Sequence, residues 1–111
     1  MKGQNVVLTM SVLAQAALTR QRFIGLDGNT CEVGAKALAV AEYNTDAGNM
    51  VPGNVLGVIL IEAGAAISVG AEVQSDASGK AIAKDDDGIG NGFALDAATA
   101  DGDIIRIVRG I

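Results

Sequence analysis

The sequence predicts an all-β fold, a small β-barrel or sandwich of short antiparallel strands with an extended N-terminal arm. Three observations predict it. Short apolar runs recur along the whole chain, and the segments between them are rich in Gly and Asp. Several runs alternate apolar and polar residues with period 2, as half-buried strands do. No stretch carries the 3.6-residue period of a long amphipathic helix.

The first run sets Val6, Leu8, Met10 and Val12 against Val7, Thr9, Ser11 and Leu13. One face is wholly apolar and the other mixed, which predicts a strand. Residues 11–18 offer a short helix as the alternative, because Ala14, Ala16, Ala17 and Leu18 favour it. The extended reading is preferred, with at most one helical turn near Ala16. Residues 1–17 are therefore an N-terminal arm or a first strand, and residues 18–111 are the β-barrel or sandwich domain. Lys2, the run Val6 to Leu13 and Ala14-Gln15-Ala16 also resemble a weak signal peptide with its cleavage site. Thr9 and Ser11 interrupt that run, and no cleavage is expected.

Arg22-Phe23-Ile24-Gly25-Leu26 reads as a strand closed by the turn Asp27-Gly28-Asn29, since Asp-Gly accepts positive φ without penalty. Cys31-Glu32-Val33 is expected to run back as a short strand, and Leu38 to Glu42 to form another. A loop over 44–53, holding the only proline, Pro52, is read as the softest part of the chain and a surface contact. Val55 to Ile61 is the most hydrophobic run, a strand covered on both faces. Gly64 and Gly70 flank Ile67-Ser68-Val69. Glu72 to Ser75 and Lys80 to Ala83 form a hairpin whose turn, Asp76-Ala77-Ser78-Gly79, ends in a left-handed glycine. Residues 85–92 read as a flexible polar loop. Phe93-Ala94-Leu95, a turn around Ala100 to Gly102 and a strand from Asp103 to Arg109 complete the chain.

The 111 residues make one domain. Half of them are apolar but only 3% are aromatic. Ala, Val, Ile and Leu must supply the packing, and small side chains bury little area each, at about 25 cal/mol per Å². Such a chain gains from burying further surface against copies of itself, so a homo-oligomer is expected. The net charge of −5 leaves no dense basic surface for phosphate backbones, and no nucleic-acid partner is expected. Arg20 with Arg22, and Arg106 with Arg109, form local basic pairs that either meet an acidic protein surface or cap strand ends in solvent. No run approaches the ~20 apolar residues of a membrane helix, so no membrane partner is expected either. The single cysteine, Cys31, allows no intrachain disulfide and fits assembly in a reducing compartment. Its flanks, Thr30 and Glu32, hold no group that lowers a thiol pKa, so Cys31 reads as a small side chain, buried or half-buried.

Catalytic equipment is sparse, with no histidine or tryptophan and one tyrosine. Asp85-Asp86-Asp87 offers hard oxygen ligands, but the alternating calcium-loop pattern is missing and a solvated acidic loop is expected. Gly88-Ile89-Gly90-Asn91-Gly92 lacks the following helix that a phosphate cradle needs. Glu62, Glu72 and Asp76 could be posed as a glycosidase acid pair, but the aromatic platforms of such sites are wanting. Lys80, beside a hairpin, invites comparison with lipoyl and biotinyl carrier domains, but it follows the turn glycine and lacks their flanking residues. No catalytic residue, cofactor or metal is expected, and the chain reads as a non-enzyme.

In order and spacing, the segments resemble the capsid cement (head decoration) proteins of tailed bacteriophages, from about Leu18 to Ile111. The resemblance is carried by Arg22-Phe23-Ile24-Gly25-Leu26-Asp27-Gly28, Leu38-Ala39-Val40-Ala41 and the loop Asp46-Ala47-Gly48. It continues through Gly57-Val58-Ile59-Leu60-Ile61-Glu62-Ala63-Gly64, Ile67-Ser68-Val69-Gly70-Ala71-Glu72-Val73 and Asp76-Ala77-Ser78-Gly79-Lys80-Ala81, and closes with residues 92–107. It departs at Ala37-Leu38-Ala39-Val40, where a glycine would precede the valine. The resemblance implies a structural virion protein, made in the host cytoplasm, that binds the outer surface of an expanded capsid. Its partners would be the major capsid protein and itself, as a trimer by analogy or as a dimer, and it would cement neighbouring capsomers. Val6, Leu8, Met10 and Val12 are then the expected contact ridge, with Arg20 or Arg22 beside it, unless these residues only line the barrel. A β-domain of a phage fibre, tail or surface adhesin binding a ligand is the competing reading.

Overall fold

The computed structural model describes residues 3–111, and its regular elements are eight strands. These are β1 (Asn5–Leu13), β2 (Phe23–Gly25), β3 (Ala37–Ala41), β4 (Met50–Glu62), β5 (Glu72–Ser75), β6 (Ala81–Ala83), β7 (Gly92–Ala94) and β8 (Ile104–Arg109). No helix occurs among the described residues. Lys2, which entered the signal-peptide resemblance, lies outside them.

All strand pairings are antiparallel, along the path β2-β3-β4-β8-β7-β5-β6, with β1 also on β4. The path curls back on itself. The Gly64 N–H donates to the Ala81 carbonyl (2.8 Å), tying β6 to the end of β4. The Phe23 N–H donates to the Gly79 carbonyl (2.7 Å), tying β2 to the β5–β6 turn. The result is a nearly closed barrel of short strands, the predicted all-β class.

Apolar side chains gather on both faces of the sheet. Phe23, Val40, Ile59, Ile61, Val73, Ile105 and Ile107 fill the barrel, all buried. Val12, Leu18, Ile24, Ala41 and Val51 form a second cluster. Phe23 and Ile24 are adjacent in sequence and feed opposite clusters, because successive strand residues point to opposite faces.

The turns follow the sequence closely. Asp27 Oδ1 accepts the Asn29 N–H (3.0 Å) beside Gly28 at φ 87°. Asp76 Oδ1 accepts the N–H groups of Ser78 and Lys80 (2.8 and 2.9 Å), and Ser75 pairs with Ala81 across the hairpin.

Three expectations are corrected. Pro52 and Gly53 belong to β4, so the loop after β3 covers only residues 42–49. The Pro52 carbonyl accepts the Glu42 N–H (3.0 Å) just past the end of β3. The missing Pro N–H therefore leaves one bond unmade where that ladder has already stopped. Cys31-Glu32-Val33 forms no strand. Thr30 makes one bridge to Ile24, after which the Ser75 Oγ–H donates to the Cys31 carbonyl (3.3 Å) and the Gly34 N–H to the Ser75 carbonyl (3.0 Å). These bonds draw the chain across to β5. Finally, the polar loop before β7 is fastened rather than free. Asn91 is buried, its Oδ1 accepting the Ala37 N–H (2.9 Å) and its Nδ2 donating to the Ala35 carbonyl (3.0 Å). Near Ala16 the chain bends at Gln15-Ala16, with no helical turn, and Ala14 and Leu18 are bonded to the backbone of Asn49 and Thr45.

β1 and β4 pair over nearly the whole of β1 with two bulges that cancel. Val6 faces Gly57 and Leu8 faces Leu56, so Val7 is an extra residue on β1. Thr9 then faces Asn54, so Val55 is an extra residue on β4. Gly57 stands at φ 109°, and a Cβ there would overlap the Asn5 carbonyl oxygen. Glycine is required at that position.

Candidate interaction surface

The bulges decide where the expected ridge points. Strict alternation would put Val6, Leu8, Met10 and Val12 on one face, but the extra Val7 resets the phase between Val6 and Leu8. Val12 is 5% exposed in the second cluster, and half-buried Val6 packs against the barrel core. Leu8 and Met10 stay exposed, at 45% and 42%, and Val7 reaches 80%. Leu13 and its partner Met50 extend the apolar surface along the strand, and Leu56 lies opposite Leu8. Among the described strands β1 pairs with β4 alone, so its outer edge has no strand partner. No charge or proline within Asn5–Leu13 blunts that edge.

The two arginines lie differently. Arg20 is exposed, with its backbone N–H bonded to Asn44 Oδ1 (2.8 Å). Arg22 donates from Nε to Glu62 Oε1 (3.1 Å). Glu62 also meets Lys80 Nζ (3.5 Å), which bonds Asp101 Oδ1 (2.8 Å), so four charges alternate in sign where β4 ends. Hydrogen bonding to Asp101, with Glu62 nearby, raises the Lys80 pKa and keeps the side chain cationic. Glu62, one of the carboxylates weighed as an acid catalyst, is thus committed to two cations, and Asp76 to its own turn. Asp85 caps its loop, its Oδ1 accepting the N–H groups of Asp87 and Gly88 (3.0 and 2.8 Å). No group of three or more Cys, Asp or Glu among the described residues is placed to hold a metal ion.

Two groups are buried where the sequence suggests a surface position, Asn91 in a flexible loop and Arg109 in a surface basic pair with Arg106. Asn91 joins the polar loop to the start of β3. Arg109, at the end of β8, is only 9% exposed and donates from Nη1 to the Leu38 carbonyl (3.1 Å) and from Nη2 to the Ala37 carbonyl (2.8 Å). Burial lowers the Arg109 pKa, against a smaller opposing effect of Cys31, though a guanidinium remains protonated. Arg109 stands in phase with Ile105 and Ile107 along the strand, and that spacing is the signal of its inward position. Cys31 is buried, and that burial pushes its thiol pKa up.

A family model described as phage cement protein matches residues 1–109. No curated protein sequence matches the chain. Among solved structures, the chain is similar to the N base of the head fibre protein gp8.5 of bacteriophage phi29. The TM-score is 0.75 at 21% identity over 93% of both chains, a likeness of fold.

Proposed function

The chain belongs to the phage cement protein family, structural proteins of the virion, and from that premise we propose that it binds the outer surface of the expanded head and cements neighbouring capsomers. It does so without catalysis, as a homo-oligomer, with a trimer favoured over a dimer. The observation that carries this reading is β1. Among the described strands its outer edge has no partner, Asn5–Leu13 carries no charge, and Val7, Leu8, Met10 and Leu13 are exposed along it. An open edge of this kind recruits a further strand through main-chain hydrogen bonds, while neighbouring apolar side chains add contact area. With few aromatic anchors each contact is weak, and an oligomer touching several capsomers makes the later contacts effectively intramolecular. Within the expected ridge, Leu8 and Met10 make the contact, while Val6 and Val12 hold β1 in place. Arg20 lies free to meet an acidic shell residue.

Co-sedimentation with tailed-phage heads, before and after expansion, tests this. Saturable binding to expanded heads alone is expected. The double variant Leu8→Lys with Met10→Lys should fold normally, since both residues are exposed, and should fail to bind. Equal binding by that variant removes β1 from the interface. The shared fold with a head fibre base favours one second reading, a seat for a fibre on the head. A cement protein raises the temperature at which heads release DNA, whereas a fibre seat binds and leaves that temperature unchanged.

A further inference from the structure

β4 pairs with β3 at Asn54 and with β8 only from Gly57 onward. The interval leaves a groove of about 450 Å³ between β3 and β8. Leu38, Leu56, Phe93 and Val108 line it, Arg109 lies among them, and Lys36 stands on the rim. Arg22 and Lys80 pair with Glu62, and Arg106 is bidentate on Asp96. Arg109 differs from these, because no carboxylate among the described residues lies within ion-pair distance of it. Its two bonds go to backbone carbonyls, which leaves donors of the five-donor guanidinium unused. Buried charges are ordinarily paired. Lys36 donates to the Gly90 carbonyl (3.4 Å) on the same rim. Glu72 is the one acidic side chain lining the groove, against the basic side chains of Lys36 and Arg109.

We propose that this groove receives an extended segment of the shell polypeptide in which an Asp or Glu stands between apolar residues, the carboxylate meeting Arg109 and Lys36 while the flanking side chains pack on Leu38, Leu56 and Phe93. This rests on the shell-binding reading above. An apolar wall around a charge-assisted hydrogen bond strengthens it by excluding water. The same walls fit a peptide better than a phosphate backbone, which asks for a run of cations.

Arg109→Leu would orphan two carbonyls and could unfold the chain, so the test uses Lys36→Glu, which reverses charge on an exposed side chain, and Leu56→Asp on the wall. Both should weaken co-sedimentation with expanded heads by about tenfold, the scale of one lost charge-assisted hydrogen bond, while Lys36→Glu melts with the parent chain. Binding of Lys36→Glu as tight as that of the parent overturns the proposal. Should the parent itself not bind heads, the shell reading fails. The groove is then decided by NMR titration of the free protein with acetyl-leucyl-aspartyl-leucine amide and its asparaginyl counterpart. Amide shifts at Leu38, Phe93 and Arg109 with the aspartyl peptide alone uphold it, and no shifts or equal shifts overturn it.

Discussion

At the scale of single residues, the polar positions inside the protein hold the loops to the barrel. Asn91 satisfies the Ala37 N–H and the Ala35 carbonyl at once. Asn91→Leu should cost about 2–4 kcal/mol, because each orphaned buried group carries its own desolvation penalty; the urea midpoint checks it. Nothing local in Gly-Ile-Gly-Asn-Gly announced this role, since Asn is also a common turn residue and its partners lie over fifty positions away. Cys31, by contrast, was legible as a small side chain, buried or half-buried, from its lack of polarising neighbours. Its folded-state pKa is raised, chiefly by burial. Its contribution to stability is therefore whole below the pKa of the unfolded thiol and is lost as pH rises toward the folded value. As pH rises past the unfolded thiol's value of about 8.5 the parent should lose stability relative to Cys31→Ala, as thermal unfolding at each pH would reveal.

At the scale of elements, turns were read well and phase was not. Asp27-Gly28 and Asp76 to Gly79 close as expected, because an Asp side chain capping its own turn is a contact within a few residues. The strand Asn5–Leu13 was also visible, but the direction of each side chain depended on bulges at Val7 and Val55, which appear only when the two strands pair. The sole hint was Gly57, a glycine within the most hydrophobic run. Gly57→Ala should cost about 1–3 kcal/mol through its left-handed backbone alone, with more from the clash against Asn5. A lowered melting temperature with loss of amide protection across Asn5 to Leu8 in hydrogen exchange is the expected outcome. The boundary at Pro52 was misread for a similar reason, since whether a strand tolerates proline depends on which neighbour has ended beside it.

At the scale of the molecule, the class came through, because many short runs separated by Gly and Asp turns leave few architectures besides a barrel or sandwich. The curl of the path was hidden, since the Gly64–Ala81 and Phe23–Gly79 bonds join segments with no local signature. The proposed assembly draws on composition and on the exposed apolar side chains of Val7, Leu8, Met10, Leu13 and Met50. Native mass spectrometry should find three copies of the 11.1 kDa chain in one particle, and a monomer at all concentrations would contradict the oligomer. The pairing of β1 with β4 has one more consequence. Antiparallel ladder bonds lie across the strand direction. A pull along β1 therefore loads the bonds of that ladder together, whereas a pull at right angles parts them one after another. A tether fixed to this strand resists shear and yields to peeling, so the direction of the load sets how firmly it holds.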